Sequence, residues 1–466
     1  MRAGVRFWAL PVALALVLAA CGGGDDGGGG GGGSGGASAA ECPIGAIDEA
    51  GGGPVEIVFW HSFTRAAEEA IIALTDAFNE SQADVHVTLV NQPGEGELIE
   101  KYRAGLASGD LPDVMLQSET SLQQLIDSQG VLPAQACIDA EEYALDDFLP
   151  RVLDYYTVEG TLYPMPFNVA NPLLYFNPNL FEAAGLDPQD PPDTFDEVRE
   201  AAEALQASGV ETPVALEMNG WHFEQWLALA GATYVDNGNG REARANEATY
   251  EESGLDSFTW FDEMVDDGLA IATTTNQIDH ILALGNGTAA MTIGSSSGLG
   301  TITQVLQSGE FPDAALGVGP IPGPGSGGGG AIVGGASLYM VNRSSDAEQE
   351  ASWRFLKFLN EPEQVAEWAA ATGYIPTRQS ATEQPVLQAQ WDADPGFKVA
   401  YDQFLSGEEN DASAGAVVGE LPALRRIIED AMLEMVTQGK SPADALADAK
   451  ERADTTMAAY NDRLGV

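Results

Sequence analysis

Histidine is the side chain that most often carries acid–base or metal chemistry near neutral pH, and this chain has few of them. Its four histidines are the isolated residues His61, His86, His222 and His280. None belongs to an H-E-x-x-H or other metal-binding spacing. Neither glycine-rich stretch, 22–33 or 327–330, is followed by the Lys-Ser/Thr of a phosphate-binding loop. The sequence therefore favours binding over catalysis, and we expect no metal and no cofactor.

Arg425 has the clearest pattern of an anion-binding side chain. Apolar residues repeat at helical spacing over 421–437, which places Arg425 at the edge of the apolar stripe and Arg426 toward solvent. A partly buried guanidinium needs an anion, and its planar fork matches phosphate or carboxylate. The alternative partner is one of the chain's own acids. The run Ser295–Gly298 offers hydroxyl and amide donors, although such a run is also typical of a polar loop.

Charge and composition exclude other classes of function. The 466 residues include 20 Lys+Arg and 71 Asp+Glu, a formal net charge of −51. Nucleic-acid binding and attachment to an anionic membrane through a basic patch both need clustered cations, which are lacking. With 44% hydrophobic residues the chain can bury a full core. Among so many acids, a carboxylate pair of the kind that glycosidases use cannot be assigned from sequence.

The N-terminus has the pattern of an export signal. Residues 1–21 begin with two arginines, continue through an apolar run too short to span a bilayer, and end in Leu-Ala-Ala-Cys. This end resembles the lipobox of bacterial lipoproteins, which implies that Cys21 is lipidated. Residues 22–53 begin with almost pure glycine and are predicted to be a flexible tether. The remaining pair, Cys42 and Cys137, is predicted to form a disulfide, with two free thiols as the alternative.

From residue 55 onward, strand and helix patterns alternate, which predicts an α/β fold with parallel sheet. Strands are predicted at 55–60, 86–90 and 113–116. Helices are predicted at 64–78, 97–107, 194–207, 251–265, 346–359, 362–371, 421–437 and 442–460. The last begins Ser441-Pro442-Ala443-Asp444, a helix-start signal. The Gly/Pro run 320–335 is expected to be a loop or a crossing between domains.

Several short blocks occur together in an order that resembles the extracellular solute-binding proteins of ABC importers, in the maltose-binding-like cluster. The blocks are Phe59-Trp60-His61-Ser62, Pro166-Phe167-Asn168, Leu173-Leu174-Tyr175-Phe176-Asn177, Ala290-Met291-Thr292, Gly334-Gly335-Ala336-Ser337-Leu338, Gly373-Tyr374-Ile375-Pro376-Thr377 and Gly419-Glu420-Leu421-Pro422. The likeness covers nearly all of the chain after residue 55 and is strongest to the members that bind glycerol-3-phosphate.

The resemblance implies a two-lobed periplasmic-binding-protein fold, each lobe a mainly parallel sheet flanked by helices, with a ligand cleft between the lobes. It places 54–167 plus 291–332 in the N-lobe and 168–290 plus 333–466 in the C-lobe. The chain is expected to cross between lobes near 166–172, 290–295 and 331–335.

The resemblance also implies a ligand set. Carried over by position, the family's Glu falls on Glu119, its second Ser on Ser295, its Gly on Gly335, its second Tyr on Tyr374 and its Arg on Arg425. Two positions depart from the family pattern: the first Tyr falls at or near Glu95, and the first Ser falls on Ala170. Trp60 and Trp221 are further candidates for stacking on ligand carbons, with a core or rim position as the alternative for Trp60. For His61, helix capping or packing competes with ligand contact.

The resemblance implies an exported, monomeric receptor that is not an enzyme and that delivers its ligand to ABC permease subunits. Its only attachment to the membrane is expected to be the lipid, at the outer face of the cytoplasmic membrane, which is the periplasm if the source has an outer membrane. We expect this ligand to be a polyol phosphate such as glycerol-3-phosphate or a glycerophosphodiester. A neutral sugar or oligosaccharide is the first alternative. The alternatives from other classes are a secreted polysaccharide hydrolase, which would need a close carboxylate pair, and a structural surface protein, which would have no cleft.

Overall fold

The computed structural model describes residues 41–275, 279–307, 315–325 and 328–466. The predicted signal segment, Cys21 and the glycine-rich start of the predicted tether lie outside the described residues. The strands are β1 Val55–His61, β2 Val85–Asn91, β3 Val114–Ser118, β4 Val131–Leu132, β5 Thr157–Val158, β6 Thr161–Leu162, β7 Met165–Ala170, β8 Pro172–Phe176, β9 Val214–Glu217, β10 Ala270–Thr273, β11 Met291–Ser295, β12 Gly317–Pro320 and β13 Gly334–Val341.

The helices before the second crossing between lobes are α1 Ala46–Ala50, α2 Arg65–Ser81, α3 Glu95–Ser108, α4 Leu122–Ser128, α5 Ala134–Glu141, α6 Pro150–Tyr156, α7 Pro178–Ala184, α8 Phe195–Ser208, α9 Gly220–Leu229, α10 Asp236–Gly240, α11 Tyr250–Ser253, α12 Leu255–Asp266, α13 Asp279–Gly285 and α14 Leu299–Gln307. Those after it are α15 Asp346–Leu359, α16 Pro362–Thr372, α17 Pro385–Ala393, α18 Gly396–Ser406, α19 Leu421–Gln438 and α20 Pro442–Leu464. Short 3₁₀ turns lie at Glu119–Ser121, Ser296–Gly298 and Ser380–Glu383.

Local signals place the helices close to their predicted bounds. The side chain of Ser441 accepts a hydrogen bond from the Asp444 amide at 3.2 Å, as the predicted start of α20 requires. The predicted helix 251–265 is instead two helices, α11 and α12, separated at Gly254. A Cβ at Gly254 would lie 2.5 Å from the ring of Phe223, so the glycine allows this turn to pack against α9.

Two sheets form the two lobes of the predicted fold. The first has the order β2-β1-β3-β13-β4, with β7 also paired to β13, and the second has the order β10-β9-β11-β8-β12. In each sheet three neighbouring strands are parallel: β2, β1 and β3 in the first, and β10, β9 and β11 in the second. Strands β13, β8 and β12 pair antiparallel with their neighbours. These antiparallel strands adjoin the places where the chain changes lobe.

The predicted lobe boundaries are wrong for the second half of the chain. Strand β11 lies between β9 and β8, and β12 pairs with β8, so residues 291–295 and 317–320 belong to the second sheet rather than the N-lobe. Strand β13 belongs to the first sheet, and helices α15 to α17 pack into the first core; α18 shares that core but also contacts β12 and β8 of the second sheet. Helices α19 and α20 join the second core. The chain therefore passes between lobes at Asn171, again between β12 and β13, and a third time between α17 and α19, and the crossing predicted near 290–295 does not occur.

The described N-terminal segment is attached to the first lobe. Cys42 and Cys137 form a disulfide with a Cα–Cα distance of 4.8 Å, as predicted. Helix α1 packs on α15, and the amide of Ile47 donates to the buried carboxylate of Glu350 at 2.8 Å. Among the helices of the described segments, none combines the length and apolar character that a bilayer crossing requires.

Candidate functional site

A cavity of about 840 Å³ lies between the two lobes. Its walls come from the carboxyl ends of parallel strands in both sheets: residues 62–65 follow β1, Ser118 ends β3, Glu217 ends β9 and Ser295 ends β11. Open α/β sheets bind ligands at this edge, because the loops there are free of sheet hydrogen bonds and can present side chains and amides. The cavity is therefore the candidate ligand site.

Eight of the nine predicted ligand residues line this cavity. They are Glu95, Glu119, Ala170, Trp221, Ser295, Gly335, Tyr374 and Arg425. Trp60 does not: its ring is buried in the first core, and the Lys101 ammonium lies 3.7 Å from the ring centroid. Successive side chains of β1 point to opposite faces of the sheet, and Trp60 faces a helix layer rather than the cleft. His61 is also buried; its Nδ1 accepts from the Phe63 amide at 3.3 Å and its ring stacks on Phe63, so it packs.

Arg425 is held by two buried carboxylates. Its Nη1 donates to Oε1 of Glu119 at 2.8 Å, across the cleft from the first lobe. Its Nε donates to Oε2 of Glu224 at 2.8 Å, and its Nη2 lies 2.7 Å from the same oxygen. Burial disfavours the charged guanidinium, but Glu224 and Glu119 more than offset this and raise the pKa of Arg425. Arg425 thus lines the cleft and pairs with two of the chain's own acids, and its contact with an anionic ligand stays a prediction.

Glu95 is the most unusual acid of the cleft. It is the first residue of α3 and stands where the family's first Tyr is expected. Its confined position in the cleft disfavours the charged form, and repulsion from Glu119 adds to this effect, raising the pKa of Glu95 to about 7. Arg425 and Ser118 oppose the shift. The Glu95 side chain is nonetheless exposed to solvent at the cleft.

The remaining predicted residues supply hydroxyls, a backbone position without a side chain and an aromatic ring face. Ser295 shares a 2.8 Å hydrogen bond with the hydroxyl of Ser297. Gly335 has a φ of 99°, and a Cβ there would lie 2.0 Å from the carbonyl oxygen of Asn168, so only glycine fits this crossing strand. Tyr374 stacks on Trp368 with ring centroids 5.5 Å apart, and burial raises its pKa to about 12, which keeps its hydroxyl protonated.

Sequence reasoning missed several polar residues of the cleft, which are Arg65, Glu217, Asn219, His222 and His280. Strand β9 was not predicted, so its carboxyl end at Glu217 could not be placed beside the cleft. Desolvation lowers the pKa of His222 to about 3 and that of His280 to about 4, so both rings are neutral. Arg65 has a left-handed φ of 53°, a strained conformation often found at functional sites.

A family profile covers most of the chain. The profile described as bacterial extracellular solute-binding protein matches residues 73–399. This chain belongs to the bacterial extracellular solute-binding protein family. Proteins of this family are exported, bind small molecules and deliver them to ABC permeases; the family is one of binding proteins rather than enzymes.

Individual relatives agree with this assignment to the solute-binding family. The sn-glycerol-3-phosphate-binding periplasmic protein UgpB of Pectobacterium atrosepticum is 28% identical over 445 residues, which span 90% of this chain and 95% of the relative. The structure of UgpB from Mycobacterium tuberculosis in complex with glycerophosphocholine has a TM-score of 0.73 at 21% identity, covering 88% of this chain and 100% of the other. The acarbose-binding GacH receptor of Streptomyces glaucescens has a TM-score of 0.72 at 22% identity, covering 87% and 98%.

The solute-binding fold predicted from the sequence is confirmed by these neighbours. Over the described residues, no group of three or more His, Cys, Asp or Glu side chains could hold a metal ion. The polar groups that line the cleft are carboxylates, hydroxyls, amides, two neutral imidazoles and two guanidinium groups.

Proposed function

We propose that this protein captures a polyol phosphate, such as glycerol-3-phosphate or a glycerophosphodiester, in the inter-lobe cavity and delivers it to the membrane subunits of an ABC importer. The observation that carries the proposal is the convergence of Glu119, Ser295, Gly335, Tyr374 and Arg425 on one cavity from separate parts of the chain. These are the positions at which the resemblance implies ligand contacts. We further propose that the protein is a monomer, has no catalytic activity of its own and is held at the outer face of the membrane by a lipid on Cys21.

A neutral sugar is the second candidate ligand, because two observations favour it. Ala170 lines the cavity where a serine hydroxyl is expected, which removes one donor for phosphate. Arg425 already has two carboxylate partners, so part of its charge is used within the protein. Hydroxyl-rich ligands need acceptors and stacking faces, and Glu119, Tyr374 and Trp221 supply both.

Ligand capture would couple to movement of the lobes. The lobes share three crossing segments and also touch at the cleft rim, where α14 of the second lobe contacts α2 and α16 of the first. A Cβ at Gly300 on α14 would lie 2.5 Å from the carbonyl oxygen of Ala371, so this contact is close. A ligand bonded to both lobes stabilises their closed arrangement, since it keeps its contacts to both lobes only when they are closed.

Calorimetric titration tests the proposal directly. We expect glycerol-3-phosphate or glycerophosphocholine to bind with one-to-one stoichiometry, and maltose and trehalose to give no heat beyond dilution. Binding of the neutral sugars alone, with no response to either phosphate ester, would overturn the polyol-phosphate assignment in favour of the sugar alternative. Release of free sugar or phosphate during the titration would instead indicate a hydrolase.

The affinity for an anionic ligand should fall with rising pH because of Glu95. Below its pKa of about 7 this carboxyl is neutral, and above it the carboxylate repels a phosphate in the same cleft. Neither the phosphodiester nor the quaternary ammonium of glycerophosphocholine titrates near neutrality, so the titration of the ligand does not interfere. We expect its dissociation constant to increase about five- to tenfold between pH 6 and pH 8.

Two variants separate this effect from other titrations. Glu95→Gln should bind glycerophosphocholine equally well at both pH values, whereas Glu97→Gln, an exposed position on the same helix, should keep the wild-type dependence. His222 and His280 cannot contribute, since both are neutral throughout this range. A pH dependence that persists in Glu95→Gln would assign the titration to another group.

A further inference from the structure

Glu224 is a buried carboxylate that the ligand set does not include. It lies on α9, has a side chain 3% exposed, and does not line the cavity. Its Oε2 accepts a hydrogen bond from Nε of Arg425 at 2.8 Å, and Nη2 of Arg425 lies 2.7 Å from the same oxygen. It therefore occupies one side of the guanidinium fork that a phosphate would otherwise use.

The position of Glu224 is strongly constrained by its neighbours on α9. Gly220 at the start of this helix meets the backbone of Arg425 so closely that a Cβ would lie 2.4 Å from its carbonyl oxygen. Gln225 makes two hydrogen bonds to the backbone of Ile332 in a crossing segment, at 3.2 and 3.0 Å. Phe223 packs edge-on against Tyr250. The helix cannot withdraw Glu224 from Arg425 without breaking these contacts.

The summed charge of Arg425, Glu119 and Glu224 limits the charge of the anion that can bind beside Arg425. Arg425 carries one positive charge, whereas Glu119 and Glu224 carry two negative charges within 3 Å of it. The group is thus formally negative by one before any ligand arrives. A phosphomonoester carries a charge of about −1.5 to −2 near pH 7, whereas a phosphodiester carries only one negative charge. The additional charge of the monoester meets an unfavourable potential that the diester largely avoids.

We propose that Glu224 is a specificity-determining residue that acts through Arg425, by making the cleft prefer monoanionic phosphodiesters of polyols over dianionic phosphomonoesters. The inference rests on the proposed function and refines its ligand class. It does not require Glu224 to touch the ligand. It requires that the negative charge of the Glu224 carboxylate, and not only a side chain of similar shape, be present beside Arg425.

The test is the ratio of the dissociation constants of glycerol-3-phosphate and glycerophosphoglycerol, a diester whose single charge lies on the phosphate, at pH 7.5, measured by calorimetry. We expect wild type to favour the diester, and Glu224→Gln to tighten glycerol-3-phosphate binding on the order of tenfold while changing the diester less. Glu224→Asp keeps the charge and should retain the wild-type preference. Glu350→Gln removes a buried carboxylate from a different Arg pair, with Arg354 at 2.7 Å, and should leave both constants unchanged.

The possible outcomes separate the specificity role of Glu224 from the proposed function. If Glu224→Gln weakens both esters equally, Glu224 only orients Arg425, and the specificity role is overturned while the proposed function stands. An unchanged ratio in Glu224→Gln, or a tightening of the monoester in Glu350→Gln as well, also overturns it. If wild type and Glu224→Gln bind neither ester, both the inference and the proposed function are wrong.

Discussion

Replacing Arg425 with alanine should remove binding of phosphate esters and destabilise the protein at the same time. Loss of a charge-assisted pair of hydrogen bonds to the ligand weakens binding by about hundredfold, equivalent to about 2.7 kcal/mol. The substitution also leaves Glu119 and Glu224 buried without their cation, at 4% and 3% side-chain exposure. Breaking a buried ion pair by removing one partner costs about 3–5 kcal/mol. Calorimetric titration and urea denaturation measure the two effects.

The chain contains its own control for this variant. Arg426 is the next residue on α19 but is exposed to solvent, so Arg426→Ala has the same change in net charge and helix propensity without the cleft contacts. We expect its ligand affinity to stay within about twofold of wild type and its stability to change by less than about 0.5 kcal/mol. Equal effects of the two substitutions would contradict the assignment of Arg425. Wild-type affinity in Arg425→Ala would show that the ligand anion is held elsewhere, with Arg65 the other cationic residue of the cavity lining.

The second large effect is expected from the disulfide. The bond between Cys42 and Cys137 closes a loop with a sequence separation of 95 residues. In the chain-entropy treatment, a cross-link closing a loop of about a hundred residues stabilises the folded state by about 4–5 kcal/mol, because it restricts the unfolded chain. Cys42→Ser should therefore lower the free energy of unfolding of the first lobe by about this amount. Urea denaturation of the oxidised protein and the variant measures it.

Reduction provides an independent version of the same experiment. Wild-type protein treated with dithiothreitol should unfold at the same urea concentration as Cys42→Ser, and the variant itself should not respond to the reductant. Cys42→Ser is preferable to Cys137→Ser, because Cys137 is fully buried and a hydroxyl there adds a separate desolvation cost. Neither cysteine lines the cavity, so ligand affinity at low urea should be unchanged. A variant as stable as the oxidised wild type would mean that the cross-link does not constrain the unfolded chain.

Prediction from sequence was most accurate where the signal is local. The bounds of α15, Asp346–Leu359, agree with the prediction, and its N-cap Ser345 forms a capping box with Glu348. A cap, an apolar repeat and a terminating residue lie within one or two turns of each other, so a short window of sequence contains the whole signal. Strand β9 is only four residues long and was missed, since so short an apolar run has little periodicity.

Prediction was weakest where partners are distant along the chain. The lobe boundaries after residue 290 were assigned by resemblance and are wrong, because the pairing of β11 with β8 and of β13 with β3 depends on which edges are available in the folded sheets. Trp60 illustrates the same limit on a smaller scale. A strand residue at the start of a cleft loop can face either side of the sheet, and only the register of β1 in the sheet places this ring in the core.

The sequence by itself determined the α/β class, the positions of most helices, the solute-binding resemblance and eight residues that line the cleft. Tertiary structure alone decided how Arg425 is used. Its partner Glu119 is 306 residues away and its partner Glu224 is 201 residues away, in opposite lobes. Pattern rules extend over a few helical turns, whereas the energy of a buried charge depends on every neighbour that replaces its water. The position of Arg425 at the edge of an apolar helix face can therefore be found in the sequence. The carboxylates that bind it, and the ligand charge that is compatible with them, follow only from the fold.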